Sequence, residues 1–480
     1  MVFKRNVLAL ALASVGFCAA SSSYAAPQVS DSNDQATQTT ASGDVSTAKA
    51  KAQAKEDQHV KNMSTITVTG FSRSIETSID VKRYADTVVD VVTAADIGGL
   101  PDVSISDALT RLPGISAERI NGEASAINIR GMSGGFVETT LNGREQGATS
   151  GSRVIQFDQY PSEMISQATV YKSPKASLIE GGVAGTVEMQ TANPLENSKQ
   201  YSAVFNLRGS YNDRGNETDG ANPRGYRASA SFQGKFLNNT LGLGLGVAQM
   251  YQPHVADQFN GLAYNGSKDV NGDGANEYTS EGFEMQQNGG SARRNGFMGV
   301  AVWEPSDSFT LKADGFYSHF DATNFGRGFR VKTLSNGAIT NPTIQADGQV
   351  TGGTVSSNGD PYYTIQTTND DDSTVTSVLS GGLNAKWTTG SWTIIGDVGM
   401  SRAKSDMTNA VSWTLPFNGM GTAAPTVAND LSASYQLKNL NIPDVSFNRD
   451  LTDRNQMALA KVGVYPYIYE DKTKAAKLDV

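Results

Sequence analysis

Apolar and polar residues alternate in segments along the second half of the chain, from Tyr201 onward. In YRASASFQGKF, every second residue is apolar or aromatic (Tyr226, Ala228, Ala230 and Phe232), and the residues between them are polar or charged. The segments LGLGLGV and SWTIIGDVGM repeat this alternation. Because successive side chains of a strand point to opposite faces, the pattern predicts β-strands with one apolar and one polar face.

The connections between these predicted strands alternate between short and long. Short turns are predicted at Leu237–Asn239, Glu304–Asp307 and Thr388–Gly390. Long connections are predicted at YNDRGNETDGANP (211–223), at roughly Gln252–Ser291, at Ala322–Ser373 and after Lys404. Short turns on one side and long loops on the other are typical of an outer-membrane barrel. Trp303, Trp387 and Trp392 lie beside the short turns, where they would form part of an aromatic girdle. A soluble protein with these aromatic residues in its core is the alternative.

The residues between Val81 and Leu195 have a different pattern, which predicts a small mixed α/β domain. TVVDVVTAADI begins as a strand, and SISDALTRLPG predicts a short amphipathic helix that ends at Pro113 and Gly114. SAINIRG, VETTLNG, ATVYKSP and SLIEGGVAGTVEMQT predict strands, and YPSEMIS predicts a second short helix. Asn142-Gly143 is a turn dipeptide.

The N-terminal residues predict the compartment. Lys4 and Arg5 precede the apolar run VLALALASVGFCAA, and the small residues of SSSYAAP predict cleavage after Ala25. This is the pattern of a secretory signal peptide over residues 1–25, and the apolar run is too short for a permanent membrane span. The only cysteine, Cys18, lies within it, so the mature chain would have no disulfide and no thiolate metal site.

A polar, low-complexity segment over residues 26–63 predicts a disordered tether. It is followed by STITVTG, in which Ile66 and Val68 alternate with strand-forming threonines. Two interpretations are open. The segment is either the first strand of the α/β domain or an extended peptide that adds a strand to the sheet of a partner protein.

Composition and charge exclude several classes of protein. The chain has 480 residues and a net charge of −9, which argues against nucleic acid as the main partner. The three histidines, His59, His254 and His319, are scattered without metal-ligand spacing. No hydrolase, zinc-protease, nucleotide-binding or dinucleotide-binding motif occurs, so the sequence predicts no enzyme and no cofactor.

Several spaced motifs between Thr65 and Leu195 resemble one known family. They are DALTRLPGIS, INIRGM, TLNGRE and IQFDQYPSEMISQATVYKSPKASLIEGGVAGTVEMQTANPL. With the signal peptide, tether and barrel-type strands, they are similar to a TonB-dependent outer-membrane receptor, and FDQYPSEMI resembles most the branch common in glycan-scavenging Gram-negative bacteria. The resemblance implies an α+β plug domain followed by an incomplete antiparallel transmembrane β-barrel.

The resemblance also implies a division of the chain into five parts: a signal peptide (1–25), a periplasmic tether (26–63), a TonB box (64–70), a plug domain (71–198) and the N-terminal part of a barrel (199–480). TonB, of the TonB–ExbB–ExbD complex, would bind the box at Thr65, Ile66, Thr67, Val68 and Thr69. Roughly eight strands are predicted by Lys404, and a barrel of about 22 strands needs a plug. The chain is therefore interpreted as a fragment or truncated product, with KAAKLDV entering a further strand.

The implied function is energised import from the cell surface into the periplasm. An oligosaccharide is the leading substrate class, a ferric siderophore or haem is the alternative, and a passive porin or surface adhesin is the alternative of another class. The protein would lie in the outer membrane of a Gram-negative bacterium, in contact with its lipid, as a monomer. Tyr362, Tyr363 and Trp413, in predicted long loops, could stack on sugar rings.

Plug segments that the resemblance implies to face outward give four candidate ligand contacts: Arg119, Glu123, Phe136 and Arg153. Arginine suits carboxylates or phosphates, and phenylalanine suits stacking. No catalytic residue is predicted.

Two further groups of residues have candidate roles. Arg130 and Gly131 of NIRG are expected to be structural, with Arg130 paired to a carboxylate of the plug or barrel wall such as Glu163. DVNGDGANEY, from Asp269, matches the start of a calcium-binding loop but has Ser280 where the loop requires glutamate. A turn without metal is favoured there, and calcium is the alternative.

Overall fold

The computed structural model describes residues 79–93, 105–120, 123–160, 165–332, 334, 339–356, 365–419, 421–423, 426–428, 430–439 and 441–480. These residues all belong to one compact unit, Val68–Val480. The predicted signal peptide, tether and TonB box lie outside the described residues, as do most of the second predicted helix, Tyr362 and Tyr363. Within the described parts of the chain, no helix is long and apolar enough to cross a membrane.

The first domain is a small α+β unit. After helical residues 79–84, its elements are β1 (Val89–Thr93), α1 (Ile105–Leu109), β2 (Ile115–Ile120), β3 (Glu123–Ile129), β4 (Val137–Leu141), β5 (Arg144–Glu145), β6 (Ile165–Tyr171) and β7 (Gly185–Thr191). Five strands form a mixed sheet in the order β1-β6-β7-β4-β5, in which only β4 and β7 are parallel. Strands β2 and β3 form a separate hairpin. The first predicted helix and the predicted strands are confirmed, whereas β2 was not predicted.

Apolar burial holds this domain together. Ile105, Ala108 and Leu109 present one fully buried face of α1, as its amphipathic pattern predicts, and Val187 and Met189 of β7 are fully buried in the same apolar cluster. Full burial of one such large side chain contributes about 1.5–3 kcal/mol.

The rest of the chain is mostly strand. Its elements are β8 (Tyr201–Tyr211), β9 (Arg224–Phe236), β10 (Leu241–Gly261), β11 (Gly266–Lys268), β12 (Glu277–Thr279), β13 (Gly282–Ser306), β14 (Phe309–Lys332), β15 (Ile339–Ile344), β16 (Val350–Ser356), β17 (Ile365–Thr389), β18 (Trp392–Asn418), β19 (Thr426–Val427), β20 (Ser432–Lys438), β21 (Asn441–Phe447) and β22 (Met457–Asp479). Strands β8, β9, β10, β13, β14, β17, β18 and β22 form one antiparallel sheet in chain order, here called the wall. Among the described residues the wall is open, with β8 and β22 at its edges.

The two faces of the wall differ as the alternation predicts. Met298, Phe316 and Val378 are buried in the same apolar cluster as the first domain, so even-numbered residues of β13, β14 and β17 face inward. Odd-numbered residues of these strands face outward, including Trp303 and Trp387. These two side chains and Trp392 are 41–62% exposed beside the short turns, as predicted.

The glycines of LGLGLGV face inward and admit the first domain. A β-carbon added at Gly242 would lie only 2.9 Å from Leu195 Cγ, and one at Gly244 would lie 3.2 Å from Pro194 Cγ. Their strand neighbours Leu243 and Leu245 lie on the outer face, where Leu245 is 64% exposed. Because the inward positions of this strand are glycines, Pro194 and Leu195 can approach the wall closely.

The predicted long connections are wrong at their ends, because the strands continue into them. β10 extends to Gly261, β13 begins at Gly282, and β14 extends to Lys332. Strands of 25 and 27 residues are far longer than the 9–11 residues that cross a bilayer. In these extensions the outer face carries buried aromatic and aliphatic residues such as Phe283 and Val331, and the inner face is rich in polar residues and glycine, so no simple alternation marks the ends of the strands.

The strand count near the C-terminus also differs from the prediction. Seven wall strands, rather than about eight, begin before Lys404. KAAKLDV is the end of β22, not the start of a further strand. Trp413 lies within β18 and not in a loop.

A second small sheet, in the order β15-β16-β20-β21, covers the outer face of the wall at its upper ends, opposite the short turns. Phe283 and Phe329, which face outward by register, contact Tyr435 and Phe447 of this sheet at ring distances of 5.8 and 4.9 Å. Val331 and Ile365 are fully buried in the same cluster. The small sheet therefore does not cover the inner face of the wall at this height.

Candidate functional site: the first domain against the wall

Arg144 joins the first domain to the wall through two carboxylates that are largely shielded from water. Its Nη1 donates to Asp314 Oδ1 at 2.7 Å, and its Nε and Nη2 donate to the two oxygens of Asp397 at 2.8 and 3.0 Å. Asn384 Nδ2 also donates to Asp397, at 3.0 Å. The side chains of Arg144 and Asp314 are only 7% and 3% exposed. Charged groups this far from water are stable only when they are paired and hydrogen-bonded.

The local sequence explains how Arg144 reaches these partners. Asn142 and Gly143 have φ of 52° and 75°, as the predicted Asn-Gly turn requires, and they place Arg144 at the start of β5. On the wall, β-carbons added at Gly382 or Gly399 would overlap the arginine side chain. Glycine at these positions leaves the groove that the guanidinium occupies.

From Arg144 the chain runs alongside β18, away from the short turns. Gly147 N–H donates to Ser401 Oγ at 2.9 Å, and Ala148 N–H donates to Asp471 Oδ2 at 2.9 Å. A β-carbon on Gly151 would lie 3.8 Å from Tyr469 Cδ2. The segment therefore rises along the wall, so the residues after Gly151 lie towards the side of the long connections.

On the side of the short turns, a polar cavity of about 990 Å³ lies between the first domain and the wall. Asn142, Glu188, Lys312 and Asn384 are among the residues that line it. Lys312 Nζ donates to Asn142 Oδ1 at 3.2 Å, and Glu188 accepts from Thr140 and from the Gly143 N–H. Burial raises the pKa of Glu188, and these hydrogen bonds oppose the shift. This space is suited to water and polar solutes.

Two of the four predicted ligand contacts lie close together. Arg153 is 60% exposed and donates to the buried carboxylate of Glu138 at 3.1 Å. Its neighbour Val154 packs on Gly134, in the turn that carries Phe136, and the Phe136 ring is 52% exposed. Burial raises the pKa of Glu138 to about 7, with the Glu145 carboxylate adding to the shift and Arg153 opposing it.

The other two predicted contacts lie on the β2–β3 hairpin. Arg119 forms a 3.0 Å ion pair with Asp107 of α1. Glu123 begins β3, and its backbone pairs with Ile120. A role of any of the four in ligand binding stays a prediction.

The predicted pairing of Arg130 with Glu163 also stays a prediction, because Glu163 lies outside the described residues. Arg130 and Gly131 have φ of 53° and 80°, so they form a left-handed turn after β3, and the Arg130 side chain is exposed. The arginine that pairs with carboxylates of the wall is Arg144, which the sequence analysis did not single out. Two signals were available, its position after the Asn-Gly turn and the inward position of Asp397 in a predicted barrel strand.

The loop at Asp269 is held by its own backbone. Asp269 accepts from the N–H groups of Gly272 and Gly274 at 2.6 and 2.9 Å, and these bonds lower the pKa of its carboxyl. Across the described parts of the chain, no group of three or more acidic, histidine or cysteine side chains is placed to hold a metal ion. Calcium binding by this loop stays an untested alternative.

Comparison with known proteins identifies the first domain. Residues 81–187 match the family model described as "TonB-dependent Receptor Plug Domain". The chain carries the plug domain of a TonB-dependent receptor. No curated protein matches the chain.

Solved structures similar to this chain have low identity to it. A mutant of the ferric enterobactin receptor of Pseudomonas aeruginosa is 12% identical over 84% of this chain, with a TM-score of 0.35. The siderophore receptor PirA of P. aeruginosa is 11% identical over 81% of this chain and 85% of its own, with a TM-score of 0.29. The RagAB peptide importer is 11% identical over 81% of this chain and 52% of its own, with a TM-score of 0.35. The chain spans 60% of the length of the enterobactin receptor.

Replacing the buried arginine should loosen the plug. Arg144→Ala leaves the buried carboxylate of Asp314 and the partly buried one of Asp397 without their counter-charge, which costs about 3–5 kcal/mol. Arg214→Ala is the matched control, because its ion pair with Asp257 is exposed and such pairs contribute about 0–1 kcal/mol. Limited proteolysis of the plug in outer-membrane vesicles should be at least tenfold faster in Arg144→Ala and unchanged in the control. Equal rates in the two variants would contradict the role of this ion-pair network.

The plug should lose stability as pH rises, because of Glu138. Between pH 4.5 and 7 the unfolded carboxyl is ionised while the folded one still holds its proton, so the folded state binds more protons and stability falls with pH. The full loss is about 3 kcal/mol above pH 7. Amide hydrogen exchange of β4, corrected for its intrinsic pH dependence, should show this loss in the native protein and in the exposed-site control Glu180→Gln. The loss should be absent in Glu138→Gln, and a loss that persists there would refute the assignment.

Proposed function

We propose that this chain is part of a TonB-dependent importer of the outer membrane of a Gram-negative bacterium. The observation that supports this most directly is the seating of the plug domain on the inner face of the wall through Arg144, Asp314 and Asp397. Apolar contacts accompany it, with the Tyr160 ring stacked on Phe316 at 4.9 Å. A domain fixed inside a barrel closes its lumen, so passage of a solute requires that the domain move or change shape.

The order of strands in the plug sheet suits displacement from the periplasm. β1, the described strand nearest in sequence to the TonB box, is at one edge of the sheet, and β5, with Arg144, is at the other. TonB would add its own strand to Thr65–Thr69 and pull on the plug domain that follows. The pull reaches β1 first, which among the described strands pairs only with β6, while the opposite edge stays fixed to the wall. Partial opening of the sheet beside the polar cavity would then create a path.

The substrate is proposed to be an oligosaccharide, which the receptor binds at the cell surface and releases into the periplasm. The amino-acid sequence of the plug motifs, which resembles the glycan-scavenging branch, supports this class. A ferric siderophore or haem is the alternative. A passive porin or an adhesin is the alternative of another class. The ion pairs and apolar contacts that hold the plug to the wall argue against a permanently open pore.

The experiment is uptake by cells that lack other receptors and express the protein that contains this chain. Proline removes a backbone donor and disrupts strand pairing, so Ile66→Pro should abolish TonB capture. We expect uptake of the labelled substrate to fall more than tenfold, with surface binding unchanged within twofold. A labelled oligosaccharide and a ferric siderophore are compared side by side.

The matched control is Ala50→Pro, which places the same residue in the predicted tether, where no strand pairing is expected. This variant should import like the native protein. Undiminished uptake by Ile66→Pro would remove the importer proposal and favour the passive channel, with the TITVT strand belonging to the plug alone.

A further inference from the structure

The register of the wall defines which side chains face the lumen above the plug. On β18 and β22 the odd-numbered residues face inward, since Asp397 binds Arg144 and Ala403 is buried beside Gly147. Pairing of β18 with β22 is continuous from Ile395 to Trp413, so the parity holds along this whole length. The register therefore shows that the odd-numbered residues of β18 above the plug, up to Trp413, also face inward.

Above the plug, three inward glycines form a low floor across β13 and β14. They are Gly290, Gly326 and Gly328, and a β-carbon on Gly326 would lie 2.9 Å from Asn288 Oδ1 and 3.2 Å from Gln286 Oε1. At Gly290 and Gly328 a β-carbon would overlap backbone carbonyls of the neighbouring strand, so the strands approach closely here. The groups that a ligand would meet at this floor are backbone and the ends of the Gln286 and Asn288 side chains.

Carboxamides and carboxylates border this floor on both sides. On one side, Asn288 Nδ2 donates to Gln258 Oε1 at 2.6 Å. On the other, Asp372 on β17 accepts from Asn409 on β18. Gln286 lies between them and donates to Thr368 Oγ1 at 3.2 Å. Each carboxamide has two donor hydrogens and an acceptor with two lone pairs, so one such bond leaves capacity for a ligand while it fixes the side chain.

Aromatic rings continue the same inward surface on β18 and β22. Tyr465 pairs with Asn409, Tyr467 with Met407 and Lys461 with Trp413. The tyrosines are 44% and 61% exposed, and Lys461 Nζ lies 5.0 Å from the Trp413 ring. Inward residues two apart on a strand are separated by about 6.5–7 Å, which is comparable with the size of a sugar ring.

These three features form one surface, here called the inner strip: the floor Gly290, Gly326 and Gly328, the polar border Gln258, Gln286, Asn288, Asp370, Asp372 and Asn409, and the rings Trp413, Tyr465 and Tyr467. Its lower end meets the plug, where Tyr469 contacts Gly151, two residues before Arg153. The small sheet of β15, β16, β20 and β21 packs on the opposite face, on Phe283 and Phe329. The described connections therefore leave the inner strip open to the lumen.

We propose that the inner strip binds a neutral oligosaccharide, an inference that rests on the importer function proposed above. A pyranose ring has a patch of C–H groups that packs on an aromatic face, and hydroxyls at its edge that both donate and accept hydrogen bonds. The strip offers rings for the first and carboxamides and carboxylates for the second. The negative charges of Asp370 and Asp372 disfavour anionic ferric chelates. The Lys461 ammonium is engaged in a cation–π contact with the Trp413 ring.

The test measures equilibrium binding of fluorescently labelled maltohexaose and cellohexaose to outer-membrane vesicles that contain the protein, with empty vesicles as the background. At least one hexasaccharide should bind, and Tyr467→Ala and Asn409→Ala should each weaken it at least tenfold. Tyr317→Ala is the matched control, because it removes an exposed tyrosine from the outer face of the same sheet, and it should stay within twofold. Binding of neither hexasaccharide, or equal effects of Tyr467→Ala and Tyr317→Ala, overturns the proposal.

The outcome can be separated from that of the importer function. If the importer function fails, hexasaccharide binding still depends on Tyr467 but uptake does not respond to Ile66→Pro. If the protein is an importer but the inner strip does not bind oligosaccharides, Ile66→Pro abolishes uptake of a ferric chelate such as ferrichrome, and neither hexasaccharide binds. Hexasaccharide binding that depends on Tyr467 and uptake that depends on Ile66 together support both.

Discussion

The structure depends on the burial of one positive charge between two chain segments that are far apart in sequence. Arg144 contacts Asp314 and Asp397, 170 and 253 residues away, at a place almost closed to water. Removing these groups from water is costly, and only their mutual hydrogen bonds offset the cost. The requirement fixes the height and rotation of the plug, because the guanidinium fits only where glycines of β17 and β18 leave space.

This arrangement explains how a plug can be both firmly seated and displaceable. The contacts of the plug with the wall combine hydrogen bonds and ion pairs to β14, β18 and β22 with an apolar cluster that includes Phe316, and the polar contacts can exchange for water once the lumen opens. The fixed edge of the plug sheet, at β5, is opposite the edge at β1, which is closest in sequence to the predicted TonB box. A pull applied at β1 separates strands one at a time, which requires less force than shearing the whole sheet from the wall.

Much of the fold can be predicted from local patterns, and the rest depends on long-range contacts. The alternation in YRASASFQGKF predicts a strand and Asn142-Gly143 predicts a turn, because strand faces and type I′ turns are determined by neighbouring residues. The upper parts of β13, β14 and β17 could not be predicted, since both of their faces are polar or covered by another sheet. The partners of Arg144 depend on pairing across more than a hundred residues, which a single sequence does not encode visibly. Trp413 was singled out for sugar stacking, but its place in β18 and its inward direction follow only from the register with β22.

A disulfide that locks the plug to the wall tests most directly whether the plug must be displaced for import. A β-carbon on Gly147 would lie 3.2 Å from Ala403 Cβ, near the separation of about 3.5–4.5 Å in a disulfide, and the mature chain is predicted to contain no cysteine of its own. Uptake is measured in cells expressing the Gly147→Cys/Ala403→Cys variant before and after reduction, with the two single-cysteine variants as controls. Uptake should be lost while the disulfide is intact and should return when it is reduced. Full uptake through a protein whose disulfide is intact would contradict displacement of the plug at β18.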